Sequence, residues 1–196
     1  KSFPLFDVQQ VEVLRGPQGT LFGRNTTAGI IKFDTVKPTQ DFEGYAKGSI
    51  GNYGTMNFEG AVGGGLTDTV SARISVLSQE RDDYIENAFV NQEDALGGFD
   101  EKAWRAQVLF DPSDDFSALL NVHGRDLEGT ASIFRANIFT KGSNDLNENY
   151  VRDRVWYDGD LDGDGQVDNN PQEYEGFGSS LKLSYLFNDM ELIGIP

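Results

Sequence analysis

The chain has 196 residues, with 16 Lys and Arg against 32 Asp and Glu, a formal net charge of −16. That balance argues against nucleic acid as a partner, since phosphate binding needs basic surface, and the lack of cysteine excludes a disulfide framework or a cysteine metal site. No apolar run reaches the roughly 18 residues of a membrane-spanning helix, but spanning strands need only about 10 residues of alternating character. Twenty-three glycines and 14 phenylalanines point to a β-rich protein with many turns.

Taken in order, Lys1-Ser2-Phe3-Pro4 shows no charged-then-apolar leader. An apolar run, Val11 to Leu14, ends in Arg15-Gly16-Pro17. Gly19 and Gly23 punctuate a second turn, and Ala28-Gly29 precedes another apolar strand that runs toward Pro38. This ordered stretch, residues 11–39, resembles the C-terminal half of the plug domain of TonB-dependent outer-membrane receptors. In that family a V-L-R-G-P-x-G-x-L-F/Y-G segment and a later small-Gly-apolar strand close the plug just before the barrel. The chain departs from the pattern at Ala28, where a glycine is usual, and at Lys32, where an asparagine is usual.

From about residue 42 the pattern has period two, the signature of strands. Val70, Ala72, Ile74 and Val76 share one face, opposite Ser71, Arg73, Ser75 and Gln79. Trp104, Ala106, Val108 and Phe110 oppose Arg105 and Gln107. Phe116, Ala118, Leu120 and Val122 oppose Ser117, Asn121, His123 and Arg125. Phe177, Leu181, Leu183, Tyr185 and Phe187 oppose Ser180, Lys182 and Ser184. Segments 43–51, 55–64 and 189–195 fit more loosely, which makes about seven strands. Leu66-Thr67-Asp68, Pro112-Ser113-Asp114 and Asn188-Asp189 read as tight turns. Residues 81–100 and 127–175 are long, acidic and poorly periodic; only Gly51-Asn52-Tyr53-Gly54 is short where a long link is due.

Short and long links alternate, as they do on the two rims of an outer-membrane barrel. The strand pattern alone suits a soluble β-sandwich equally well, with its apolar face in a core. The plug-like stretch turns the reading toward an all-β fragment of a plugged transmembrane barrel. Residues 1–39 would be the C-terminal half of the plug, and 40–196 the N-terminal part of the barrel, with 81–100 and 127–175 as extracellular loops. Seven strands do not close a barrel of the twenty-two that such receptors have, so the chain reads as an internal fragment.

Few residues suggest chemistry. Asp160, Asp162, Asp164, Gln166 through its carbonyl, and Asp168 have the alternate spacing of a calcium loop, with Gly165 at the sixth position. A register beginning at Asp158 fits less well, because it places Gln166 ninth. The twelfth position is Pro171 rather than a bidentate glutamate, and Glu173 or Glu175 would have to substitute. A calcium ion there would be structural, offsetting the cost of crowded carboxylates. Otherwise the segment is a solvated acidic tip. Arg73, Arg105, Arg125 and Lys182 fall on the polar face and would pair with plug carboxylates such as Glu12, or with neighbouring strands. His123, the lone histidine, reads as a wall residue, and Asn25-Thr26-Thr27 is a sequon of a kind common by chance. No catalytic triad, phosphate loop or histidine pair appears, so the residues make no case for an enzyme.

The resemblance implies more. Arg15 would be a plug–barrel lock, with a wall glutamate beyond this chain as its partner, and Gly16, Pro17, Gly19, Gly23 and Gly29 would shape the plug turns. The intact protein would import a scarce solute, most often a siderophore–iron complex, from the cell surface to the periplasm of a Gram-negative cell. It would be energised by the TonB–ExbB–ExbD complex. Its substrate would be a small molecule or metal chelate, met by the Gly19–Asn25 turn and the long loops. Its surroundings would be outer-membrane lipid and lipopolysaccharide, with divalent cations bridging the latter to the acidic loops. The alternative from another class is a secreted or surface β-sandwich carrying a calcium-stabilised adhesion loop.

Overall fold

The computed structural model describes residues 4–23, 25–133, 135, 138–160, 163–187 and 190–194. The elements run β1 (Val8–Arg15), α1 (Gly19–Phe22), β2 (Gly29–Thr35), β3 (Glu43–Ile50), β4 (Met56–Thr67), β5 (Val70–Arg81) and β6 (Ile85–Asn87). They continue with β7 (Gln92–Leu96), β8 (Phe99–Ser113), β9 (Phe116–Gly129), β10 (Arg154–Val155), β11 (Gln172–Phe187) and β12 (Met190–Gly194). β1 and β2 form an antiparallel pair. The main body is a seven-stranded sheet in the order β12-β11-β9-β8-β5-β4-β3. Its pairings are antiparallel throughout, so each strand lies beside the strand it follows in this sheet.

The seven alternating segments are the seven strands of this sheet, though the ladder outruns the alternation. One row across four strands reads Val76, Trp104, Gly124 and Phe177. The next row toward the long links reads Ser78, Lys102, Asp126 and Glu175. Beyond that row the outer face reads Glu80, Asp100, Glu128 and Glu173, so the period-two signal stops while the backbone pairing continues. β8 therefore starts at Phe99, β9 runs to Gly129 and β11 begins at Gln172.

The polarity of the sheet is the reverse of a soluble one. On β5, Ser71 and Ser75 are each 1% exposed and Arg73 is 6% exposed, whereas Ile74 on the opposite face is 50% exposed. Phe58, Val62, Trp104, Val108, Phe110, Leu120 and Phe177 share that bare apolar face. Aromatic rings gather near both of its margins. Trp104 and Phe177 lie 6.3 Å apart toward the long links, and Phe110 and Phe116 lie 6.3 Å apart toward the tight turns. Among the described residues no second sheet covers this face, which sets aside the sandwich alternative: a sandwich buries its apolar face between two sheets.

Links sort by length onto two rims. β4–β5 and β8–β9 turn at 68–69 and 114–115, and the β11–β12 link at Asn188-Asp189 lies outside the described residues. The opposite rim carries 51–55, 82–98 and 130–171. The last two are more ordered than their sequence suggested. They contribute β6, β7 and β10 to a three-stranded sheet around Ile85, Ala95, Leu96 and Val155. Strands of two to five residues are too short to leave a periodic trace.

Candidate functional site

The residues that tie the molecule together sit where the N-terminal segment meets the polar face of the sheet. Phe6 packs against Leu77 and Ala103. The Arg105 guanidinium lies over its ring, 4.6 Å from the centroid. Asp7 follows, in the left-handed region at φ 51°, a conformation that aspartate tolerates better than most residues. Its backbone is fixed on both sides: its N–H donates to Glu59 Oε1 at 3.2 Å, and its carbonyl accepts from the Val36 N–H at 3.0 Å.

That conformation aims the Asp7 carboxylate at β5. Arg73 Nε donates to Oδ2 at 2.8 Å and Nη2 to Oδ1 at 2.6 Å, a bidentate fork. Ser75 Oγ also donates to Oδ2. Both charged side chains are nearly sealed from solvent, at 5% and 0% exposure. Burial pushes the Asp7 carboxyl upward, but the hydrogen bonds from Arg73 and Ser75, with the charges of Arg73 and Arg105, outweigh it and hold the group below its ordinary range. Tyr45 donates its hydroxyl to Glu59, and Gln107 Nε2 reaches Thr35 Oγ1 at 3.4 Å, which extends the contact across β3, β4 and β8.

Of the polar-face cations named from sequence, Arg73 does meet a carboxylate of the N-terminal segment, but it is Asp7 and not Glu12. Glu12 instead faces Lys32 on β2, with Nζ 3.4 Å away. Arg125 pairs with Glu101 of the neighbouring strand at 2.7 Å and lies over the Tyr174 ring. His123 stacks its imidazole against the backbone of Gly178, where a Cβ would come within 2.6 Å of Nε2. Sequence reasoning missed Asp7, because nothing periodic marks a single acid ahead of β1.

The glycine-rich turns form as compact backbone units. Gly16 N–H bonds the Ala28 carbonyl at 3.2 Å and Gln18 N–H the Thr26 carbonyl at 2.9 Å, closing the stretch that holds Pro17, Gly19 and Asn25. Gly19 opens the single helical turn, and Gly23, at φ 82°, ends it. Gly29 is the most constrained: φ is 144°, and a Cβ there would lie 2.5 Å from the Leu14 carbonyl oxygen. Arg15 is exposed at the end of β1, opposite Gly29.

Above the docked segment, on the same polar face, a cavity of about 550 Å³ opens between Phe99, Glu101, Arg125, Leu127 and Tyr174. In the acidic loop, the Asp160 carboxylate accepts the N–H groups of Gly163 and Gly165 at 2.7 and 2.9 Å. Asp164 accepts the Gln166 backbone and side-chain amides at 2.7 and 3.0 Å, and Asp168 N–H bonds the Gly159 carbonyl at 3.0 Å. Asp162 lies outside the described residues. Among the described residues no three acidic or histidine side chains are gathered closely enough to hold a metal ion.

No protein-family model matches the chain. It is similar to the pesticin receptor of Yersinia pestis, at 32% identity over 114 residues, which are 56% of this chain and 16% of that protein. It is also similar to the catecholate siderophore receptor Fiu of Escherichia coli K12, at 33% identity over 82 residues, which are 40% of this chain and 10% of that protein. Among solved structures, the ferric yersiniabactin uptake receptor FyuA from Yersinia pestis matches with a TM-score of 0.74 at 23% identity. That match covers 94% of this chain and 27% of FyuA. The chain thus spans less than a third of the length of each of these proteins.

Proposed function

We propose that this chain is part of a TonB-dependent outer-membrane receptor, and that the intact protein imports a scarce solute across the outer membrane of a Gram-negative cell, with a ferric siderophore as the substrate class. The observation that carries the reading is the inverted polarity of the seven-stranded sheet. Its apolar face, with aromatic rings near both margins, suits lipid. Its polar face is occupied by the N-terminal segment. In this reading residues 1–39 belong to the plug and 40–196 to the barrel wall. The tight turns face the periplasm, and the 82–98 and 130–171 links face the outside.

The substrate class is supported by relatives whose names refer to siderophore or ferric yersiniabactin uptake. The cavity beside Phe99 and Tyr174 lies on the same face as the docked segment, where a solute entering from the long-link rim would pass. Energy would come from the inner-membrane TonB–ExbB–ExbD complex acting on the plug, and lipopolysaccharide would surround the outer rim. We assign Arg15 a second contact with the wall, through a carboxylate supplied by strands beyond this chain. A calcium ion would serve only to order the 158–168 loop.

Uptake of labelled ferric chelates by iron-starved cells tests the proposal. The reading requires uptake that depends on this gene, on TonB and on the proton gradient. Gene-dependent uptake that persists without TonB would overturn the energising mechanism. A deletion strain that imports every chelate tested at the parental rate would overturn the substrate class.

A further inference from the structure

The two long links are separate in sequence, yet one side chain joins them. Asn87, at the end of β6, is 0% exposed. Its amide can donate twice and accept twice, and all four capacities are used. Nδ2 donates to the Tyr157 carbonyl at 3.0 Å and to Asn169 Oδ1 at 2.9 Å. Oδ1 accepts the Phe89 N–H and the Tyr157 N–H, each at 3.2 Å. Three of these four bonds cross from the 82–98 link to the 130–171 link.

Other contacts follow the same seam. β10 runs parallel to β6, with the Glu86 N–H bonding the Asp153 carbonyl at 3.0 Å and the Ala88 N–H bonding the Val155 carbonyl at 2.8 Å. Val155 sits in the apolar cluster of Ile85, Ala95 and Leu96. Asn169 Nδ2 donates to Gln92 Oε1 at 3.1 Å, and Phe89 meets Trp156 edge-on with ring centroids 5.9 Å apart. At the base, Thr130 exchanges backbone bonds with Gly97 and Gly98, and its hydroxyl donates to Asp83.

We infer that the 82–98 and 130–171 links act as one body keyed by Asn87, so that opening either one opens the other. The reason is the cost of parting them. Separation breaks three hydrogen bonds of a fully buried amide at once and uncovers the apolar cluster that Val155 shares with Ile85, Ala95 and Leu96, and each lost bond adds to the cost. Two loops tied only at their bases would lack that penalty and would open independently. The inference does not depend on what the protein transports.

Hydrogen exchange of the intact receptor in detergent, compared with its Asn87→Leu variant, tests this. Leucine keeps the branched outline of the side chain and removes all four bonds. Exchange should speed up by roughly tenfold or more in both 84–96 and 153–169, with the wall strands 56–81 unchanged. Faster exchange in only one of the two segments would overturn the inference. A second measurement keeps Asn87 and both of its bonds to Tyr157: a disulfide between Gln92→Cys and Asn169→Cys. If the links already open together, exchange in both segments stays within about twofold of the reduced form. Marked slowing on oxidation would show that the links part independently, and would likewise overturn it.

Discussion

Arg73 and Asp7, 66 residues apart in sequence, meet as a two-pronged ion pair with Nη2 to Oδ1 at 2.6 Å, almost wholly sealed beneath the N-terminal segment. Removing one member leaves the other charge buried without its ion-pair partner. Arg73→Ala is therefore expected to weaken docking of the N-terminal segment by about 3–5 kcal/mol. The double variant Arg73→Ala/Asp7→Ala should be less damaging than the sum of the single ones, because neither charge is then stranded. Denaturant unfolding of the intact receptor, followed by a probe on residues 8–35, measures both. Additive losses would show that the two residues are not coupled.

The same pair fixes a pH dependence. Asp7 is held below its ordinary value of 3.8, so its folded-state pKa lies beneath its unfolded one. Such a group contributes stability that is fully present above about pH 4 and is lost as pH falls through the lower, folded value. Docking should thus be flat from neutral pH to about pH 4 and weaken in more acid solution. Asp7→Asn should remove that acid limb. A docking curve that falls between pH 7 and 5 through Asp7 would contradict the account.

A cation on the bare face should be costly. Ile74→Arg or Val108→Arg is expected to destabilise the protein in lipid by about 2–4 kcal/mol, with the effect largest near mid-bilayer. Arginine already stands at positions 73 and 105 on the opposite face of the same strands. Reversible folding of the intact receptor into vesicles gives the comparison. Little or no loss at positions 74 and 108 would show that this face does not meet lipid.

Gly29 carries a local prediction. Its φ of 144° and the Leu14 carbonyl oxygen 2.5 Å from any added Cβ leave no room for a side chain. Gly29→Val should break the first β1–β2 pairs, Arg15–Gly29 and Leu14–Ile30. Ala28→Gly, beside it, should be tolerated. Protease sensitivity across residues 15–30 of the intact receptor distinguishes the two variants.

For the acidic loop, calcium should protect residues 158–168 from proteolysis in the intact receptor, and Asp160→Asn/Asp164→Asn should abolish that protection. Asp160 and Asp164 already cap neighbouring amides of the loop, so the variants should also loosen the loop without calcium. Equal protection with and without the ion would assign the loop to those hydrogen bonds alone.

Much of the main sheet was legible because a strand with one face in a single environment must alternate: Val70 to Val76 and Trp104 to Phe110 announce both the strands and their apolar face. Which environment touches that face is not written in the alternation, since lipid and a protein core select the same residues. The burial of Ser71, Arg73 and Ser75 decides it. Asp7 was illegible, because its role depends on a left-handed backbone and a partner 66 residues away, neither of which leaves a local pattern. The small rim sheet was hidden for a related reason: the side chain that joins it, Asn87, is polar and isolated in an acidic stretch. Arg15 was singled out by its motif, but its expected partner lies beyond this chain.

The orientation of the sheet can be read directly from nitroxides placed one at a time from 104 to 110 on β8 in the intact receptor, reconstituted in lipid. The account predicts that positions 104, 106, 108 and 110 are accessible to lipid-soluble oxygen, and that 105, 107 and 109 are not. Even-numbered positions reached instead by a water-soluble relaxation agent, or an accessibility without period two, would contradict it.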